Sequence, residues 1–461
     1  MLRVCLLLGL LLCCMVAGAS PCTVPVAVIH EVQLQGNETT KDFVLLRELT
    51  FQVGDSVKVE NLENLLEENR KRIYNLRLFH YVNYSYTCNE GLVIVTYQVQ
   101  ERVYLYPIPI FDFADRNFNA WLEKKDLNRI DYGFTLTRKN FRGRNEDVRL
   151  RLQHGFNRRI ELSYRVPYLA GSRNFGYEIG VADYRSHTIS YNILNNRQYF
   201  FEQEEGMPIN RTGVAAAIIH RQSVQRQSAL RLSYNHEEIS DTVVSLNPDY
   251  FNTDKTNRNY IRVDLSRAVN QRNTFAYPLT GSYFDAGIGH AFFLNDTGTG
   301  FTTARAKYVT YTALPHKFYY TVGAEAQVRI GSNFAVTDNI ALGYRSLVRG
   351  YELYVVGGQH YGLFKQGLSR ELFNIKGIHL KFIRSPKLNT VPLALYLNAF
   401  TDAGYTIDNT YEASNPLTNR LLLGGGIGLH VVTFYDIVLR GEYTVNREGD
   451  RGLYLNMGYP F

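Results

Sequence analysis

From about Val103 to the last residue, the chain alternates between an apolar side chain and a charged or polar one, segment after segment. Val148, Leu150 and Leu152 are interleaved with Asp147, Arg149, Arg151 and Gln153, and Ile160, Leu162, Tyr164 and Val166 with Glu161, Ser163 and Arg165. The same pattern sets Tyr132, Phe134 and Leu136 against Gly133, Thr135 and Thr137. It sets Val322, Ala324, Ala326, Val328 and Ile330 against Glu325, Gln327 and Arg329, and Ile437, Leu439, Tyr443 and Val445 against Asp436, Arg440 and Glu442. Successive side chains of a strand point to opposite faces, so each segment has one face for oil and one for water. The last residues, Gly452-Leu-Tyr-Leu-Asn-Met-Gly-Tyr-Pro-Phe461, keep the beat and finish on Tyr459 and Phe461. A soluble protein seldom ends on such a strand, whereas a membrane barrel must seal its seam with one, and charges on every second residue call for a wet lumen.

A mean hydropathy of -0.22 rules out a helical membrane bundle but says nothing against a barrel, whose lumen-facing residues cancel its lipid-facing ones. The 34 Tyr and 26 Phe against one Trp suit the aromatic girdles at the two membrane interfaces. At about 22 residues per strand and connection, residues 103–461 predict about 16 strands, an even number as single-chain bacterial barrels prefer. Polar stretches at 191–212, 240–258 and 405–419 are expected as outer loops, while Asn140-Phe-Arg-Gly-Arg144 and Pro315-His-Lys317 read as tight turns. The net charge of +7 is spread along alternating strands and not clustered. It therefore fits a lumen lining and an anionic lipid surface, not nucleic acid.

The amino terminus has Arg3, an apolar run from Val4 to Val16, and Ala17-Gly18-Ala19, the layout of a cleavable secretory signal over residues 1–19. Export would leave Cys22 and Cys88 in an oxidising compartment, where a bridge and two separate thiols are both open readings. Two lone cysteines supply no paired-ligand spacing, so no zinc site is expected.

Residues 24–102 read as a small α/β domain of the order strand, helix, helix, strand, strand. Val28, Val32 and Leu34 mark the first strand, which ends at Gly36-Asn37. Thr39 and Asp42 precede Phe43-Val44-Leu45-Leu46 at capping-box spacing, with a short helix to about Leu49. Val59, Leu62, Leu65, Leu66, Ile73 and Leu76 recur at helical spacing, and Tyr81–Tyr86 with Leu92–Val99 form a hairpin. This order, with Gly36, Gly54-Asp55, Leu78-Phe79-x-x-Val82 and Val99-x-Glu101, resembles a polypeptide-transport-associated (POTRA) domain.

Two further motifs narrow the family. Val348-Arg349-Gly350-Tyr351 lies in a long connection, and Phe400-Thr401-Asp402-Ala403-Gly404 ends a later strand. Together with the POTRA-like domain and the aromatic terminus, they resemble the outer-membrane assembly superfamily typified by BamA and TamA, which also includes two-partner secretion transporters. The resemblance implies a 16-stranded antiparallel outer-membrane β-barrel over residues 103–461 preceded by one POTRA domain. In that family a loop folds back into the barrel and its arginine contacts the strand aspartate, so Arg349 is expected on Asp402. Gly350 and Gly404 would permit close approach, and Glu371 is a candidate second carboxylate. Pro278-Leu-Thr-Gly281 and Gly424-Gly-Gly-Ile-Gly428 resemble further family signatures.

The implied role is insertion or translocation of other polypeptides in a Gram-negative outer membrane. The POTRA domain would be periplasmic, its edge strand taking unfolded clients, and accessory assembly proteins are implied partners. A secretion transporter and a porin or solute channel are the alternatives. H-E-x-x-H, G-x-S-x-G and G-x-x-x-x-G-K-[ST] are absent from the sequence. Metalloprotease, serine hydrolase and nucleotide-hydrolase readings therefore lack their minimal parts, and no enzyme activity, cofactor or metal is expected.

Overall fold

The computed structural model describes residues 22, 24–113, 129–169, 172, 174–223, 225–294, 300–331, 334–379, 390–433 and 437–461. Residues 1–19, the expected leader, lie outside them. The chain divides into two compact units, one running to Arg102 with Arg142–Arg144 added, the other holding the rest.

The first unit runs β1 (Val26–Gln35), α1 (Asp42–Leu46), β2 (Ser56–Lys58), α2 (Val59–Tyr74), β3 (Phe79–Asn89) and β4 (Leu92–Glu101). Its sheet has the order β2-β1-β4-β3, with β1 and β4 parallel, so the eleven-residue β3 is an edge. Helix α2 turns Leu62, Leu66 and Ile73 inward, and β4 offers Val93, Val95, Tyr97 and Val99, all buried. Each such side chain contributes about 1.5–3 kcal/mol, and the Tyr97 hydroxyl reaches the Leu66 carbonyl at 3.4 Å.

Three details depart from the sequence reading or complete it. A register shift between Ile29 and Glu31 makes β1 bury Ala27 and Ile29 first and then half-bury Val32 and Leu34, so the face that alternation assigns to Val28 changes sides. The helix entry is not closed by a Thr39–Asp42 box, since no side chain caps α1. Glu101 does this work from the far end of the unit, accepting the amides of Thr39 (3.2 Å) and Thr40 (2.7 Å) and the Thr40 hydroxyl (2.6 Å). Cys22 and Cys88 are joined as a disulfide.

The second unit is one 16-stranded antiparallel sheet. Its strands are β5 (Leu105–Phe113), β6 (Ile130–Phe141), β7 (Glu146–Gly155), β8 (Asn157–Val166), β9 (Phe175–Ser186), β12 (Ile209–Arg221), β13 (Arg226–Ile239) and β14 (Asn257–Asn270). They continue as β15 (Gly281–Phe293), β16 (Phe301–Leu314), β17 (Phe318–Gly331), β20 (His360–His379), β21 (Thr390–Ile407), β22 (Leu421–Thr433), β23 (Ile437–Asn446) and β24 (Arg451–Met457). Two small hairpins sit in connections, β10 (Thr188–Leu194) with β11 (Arg197–Glu202) and β18 (Ile340–Leu342) with β19 (Val356–Gly357). A short helix, α3 (Asp241–Leu246), sits in another.

Register shows why alternation matters. Ile218, Leu230, Leu265, Ile288, Ala304 and Val328 are successive cross-strand partners from β12 to β17, forming one apolar row around the wall. Five of the six are large side chains at 42–57% exposure, from Val328 at 42% to Ile218 at 57%. A continuous exposed apolar band of this kind needs lipid, not water. On the opposite face, charges pair across strands: Arg231 with Glu178 at 2.6 Å, Arg305 with Asp285 at 3.2 Å, and Lys307 with Glu325 at 3.4 Å.

The sheet's terminal strands are β24 and β5, and among the described residues no backbone register joins them. The Tyr104 carbonyl accepts from Lys139 of β6. Because backbone groups alternate sides, even-numbered β5 residues face β6 and odd-numbered ones face the seam, where Pro107 and Pro109 lack donors. The closing strand is also shorter than its alternation suggests. It stops at Met457, Gly458 turns with φ +83°, and Tyr459 and Phe461 do not continue the ladder but face inward. Pro460 could not have donated to a ladder there.

Candidate functional site: an arginine held inside the barrel

The connection from β17 to β20 folds back on itself through the β18–β19 pair, and its apex carries Val348, Arg349, Gly350 and Tyr351. Val348 and Tyr351 are buried in a cluster with Leu342 and Val356 of the same loop, Tyr361 and Leu363 of β20, and Leu417 and Leu422 near the β21–β22 connection. This apolar anchoring presents Arg349, itself 2% exposed, to the wall.

The wall beneath is a single cross-strand row, Lys365–Asp402–Gly424–Asn446, contributed by β20, β21, β22 and β23. Asp402 grips Arg349 three times: Nη2 to Oδ1 at 2.6 Å, Nε to Oδ2 at 2.8 Å, and the backbone amide to Oδ2 at 3.1 Å. Two parallel charge-assisted bonds make this the fork geometry that only arginine offers a carboxylate. On the other side Asn446 donates to the Gly350 carbonyl at 2.8 Å. Between them Gly424 has no side chain, and any Cβ would overlap the Arg349 carbonyl. Gly404 likewise leaves room for Val348, and Gly350 takes φ +98°, so the expected close approach is made at three glycines, of which Gly424 is the tightest. The Phe400 ring lies 3.7 Å from the Arg349 guanidinium carbon, a desolvated cation–π contact.

The second carboxylate on Arg349 is Glu442, at 3.4 Å from Nη1, and not Glu371. Glu371 faces Tyr396 in register, six residues along β21 from Asp402, or about 20 Å at strand rise. It binds Lys317 at 2.9 Å and Asn374 at 3.2 Å instead. Glu442 also takes Arg440 at 2.8 Å and Asn456 at 3.1 Å, and stands 3.4 Å from His430, whose other ring nitrogen meets the Tyr277 hydroxyl at 2.9 Å. Sequence reasoning missed Glu442, Arg440 and His430. Their one signal was a charge or imidazole on the lumen-facing beat of β22 and β23, which many wall positions share.

Further along the interior, the β10–β11 hairpin reaches over to other connections by its tip. Asn195 and Asn196 both have φ near +55° (53° and 58°), the two-residue turn that asparagine favours. Asn195 donates to the Ser414 carbonyl, Asn196 to Asn415 Oδ1, and Leu417 and Val355 donate back to Asn196, each at 2.8 Å. A chamber of about 570 Å3 lies under this strap, lined by Arg151, Arg159, Arg211, Tyr184 and Tyr250 among others. Among the described residues, no three His, Cys, Asp or Glu side chains converge as metal ligands would.

An exposed apolar band outside, paired charges inside and a loop pinned to the inner wall define an outer-membrane β-barrel. Residues 140–461 match the Omp85 superfamily domain, and residues 27–102 match the surface antigen variable number repeat, a POTRA domain. The chain belongs to the Omp85 superfamily, with one POTRA domain, and is an outer-membrane protein of the Gram-negative type. Its fold is similar to BamA from Haemophilus ducreyi lacking POTRA domains 1–3, at 14% identity and TM-score 0.55 over 94% of this chain and 84% of that one. It is similar too to CdiB from Escherichia coli (13% identity, TM-score 0.55, 94% and 75%) and CdiB from Acinetobacter baumannii (16%, 0.52, 94% and 74%). No curated protein matches the sequence.

Proposed function

We propose that this protein assists the insertion of other β-barrel polypeptides into the outer membrane, with its POTRA domain in the periplasm. The observation that carries the reading is the Arg349 loop folded inward and pinned to the wall, combined with a terminal strand, β5, that carries two prolines. A loop fixed inside the barrel and a terminal strand short of backbone donors favour traffic at the wall. The eleven-residue edge β3 of the POTRA sheet supplies backbone groups for an unfolded client by strand addition. Accessory proteins would use the same domain. No covalent chemistry is needed.

Depletion of the protein followed by a census of outer-membrane proteins tests this. Broad loss of other barrels is expected, and an unchanged census would overturn it. Passage of a dedicated substrate through the lumen is the second reading, favoured by the chamber of about 570 Å3 beneath the strap. Under that reading depletion removes one secreted protein and leaves the barrels intact. A large, steady conductance of the purified protein would instead point to a solute channel.

A further inference from the structure

On the lumen wall beneath the β10–β11 strap, one cross-strand row reads Gln153–Arg159–Tyr184–Arg211–Glu237–Arg258, contributed by β7, β8, β9, β12, β13 and β14. Two of its arginines hold a carboxylate: Arg258 takes Glu237 at 2.8 Å and Asp338 at 2.7 Å, and Arg159 takes Glu161 at 2.5 Å. Arg211 and Arg151, which line the chamber of about 570 Å3, do not. Arg211 lies 3.5 Å from Glu237, which Arg258 already occupies, and its guanidinium makes no hydrogen bond among the described residues. Arg151, in the next row, donates to the Gln153 side chain and pairs with no carboxylate among the described residues. Asp131, the one carboxylate lining the chamber, is already taken by the Gln153 amide at 2.7 Å, the Asn157 backbone at 2.6 Å and the Asn157 side chain at 2.8 Å.

We propose that this chamber is a binding site for an anionic sugar, a monosaccharide or short saccharide bearing a phosphate or carboxylate group, with Arg211 and Arg151 holding the anion and the strap as its roof. A guanidinium without a bonded carboxylate, in a confined wet space, is a ready fork for an oxyanion. The spacing selects against a bare ion. Two strands, β8 and β9, separate β7 from β12, so the roots of Arg151 and Arg211 stand on the order of 15 Å apart, and a ligand must have some length to engage both. The roof supplies what a sugar ring needs: Ser190, Gln198, Thr337 and Tyr344 offer hydroxyl and amide groups, and Phe200 and Tyr250 offer ring faces for its C–H edges. Gln198 already donates to the Tyr344 hydroxyl at 2.6 Å, which fixes the roof before any ligand arrives. A ligand touching both wall and roof ties the strap to the wall and stabilises the closed arrangement by mass action. The site requires neither insertion nor secretion of a polypeptide.

The test uses the full chain folded in detergent. Glucose 6-phosphate, glucuronate, glucose and inorganic phosphate are each titrated by calorimetry into the wild type, Arg211→Met and Arg231→Met. At least one of the two charged sugars is expected to bind the wild type about tenfold or more tightly than glucose and inorganic phosphate do, and to slow tryptic cleavage after the exposed Arg197 of the strap. Arg211→Met should weaken that binding at least about tenfold, while Arg231→Met, held by Glu178 outside the chamber, should leave it unchanged. Preference between glucose 6-phosphate and glucuronate assigns the anionic group. Arg211→Met removes a cation with no hydrogen-bonded carboxylate, so it is expected to fold; should it not, Arg151→Met takes its place. Binding of neither charged sugar overturns the proposal. So does equal binding of inorganic phosphate, or an equal loss in Arg231→Met, since either would show a general field of the lumen in place of a site.

Discussion

A methyl group on Gly424 would stand inside the van der Waals radius of the Arg349 carbonyl oxygen. The loop rests on the wall at the point where the wall has no side chain. Gly424→Ala should therefore lift the loop at a cost of about 1–3 kcal/mol, the usual range for overpacking. Gly362→Ala on β20, two strands away, should be close to neutral, since nothing lies within 4 Å of a Cβ there. Thermal unfolding and limited proteolysis of the two variants would show the contrast, and equal behaviour would mean the loop is not seated on β22.

Arg349→Ala and Asp402→Ala should each destabilise the barrel by about 3–5 kcal/mol, because each strands a buried charge. The double variant should lose much less than the sum, and fully additive losses would show that the two residues do not meet. Glu442→Gln should weaken the same network, whereas Glu371→Gln should alter only local contacts with the exposed Lys317 and with Asn374 and leave the network intact. If Glu371→Gln proved the more damaging of these two, the assignment of the second carboxylate would be wrong.

In the POTRA domain, Glu101→Ala should cost about 1–2 kcal/mol through the orphaned amides of Thr39 and Thr40, while Thr39→Ala should cost almost nothing. Amide hydrogen exchange at Thr39, Thr40 and the α1 residues would separate them. Rapid exchange in Thr39→Ala and slow exchange in Glu101→Ala would restore the capping-box reading.

Burial pushes the Tyr97 phenol well above its ordinary value of 10.0. The unfolded chain ionises near pH 10 and the folded one does not, so Tyr97 has no effect on the pH dependence below about pH 10 and drains stability above it. Tyr97→Phe should match the wild type at pH 8 and lose less stability than it between pH 10 and 11.5 or so. Parallel losses across that range would place the phenol in water.

Much of this architecture is legible in the sequence because period-two alternation is a local signal: it places Leu230, Leu265 and Ile288 on one face before any partner is known. The Arg349–Asp402 contact is legible for a different reason, since both ends carry short motifs. Glu442 escapes because it sits among ordinary lumen-facing charges, and only register puts it opposite Gly428, fourteen residues before it, beside the row that holds Asp402. Glu371 misleads because sequence alone gives no depth along a twenty-residue strand, in which it lies eleven residues beyond the first, His360. The inward turn after Met457 breaks no alternation, so only Gly458 and Pro460 hint at it. The bulge near His30 and the reach of Glu101 to Thr40 are likewise long-range events without a local mark.

Asp402, Gly424, Glu442 and Asn446 all follow Arg349 in the chain, the first by 53 residues and the last by 97. During synthesis and membrane entry, the guanidinium has no complete socket until the chain through Asn446 is present. A product cut short between Arg349 and Asp402 would thus carry that cation without its carboxylates, and its loop would have no finished wall to close on.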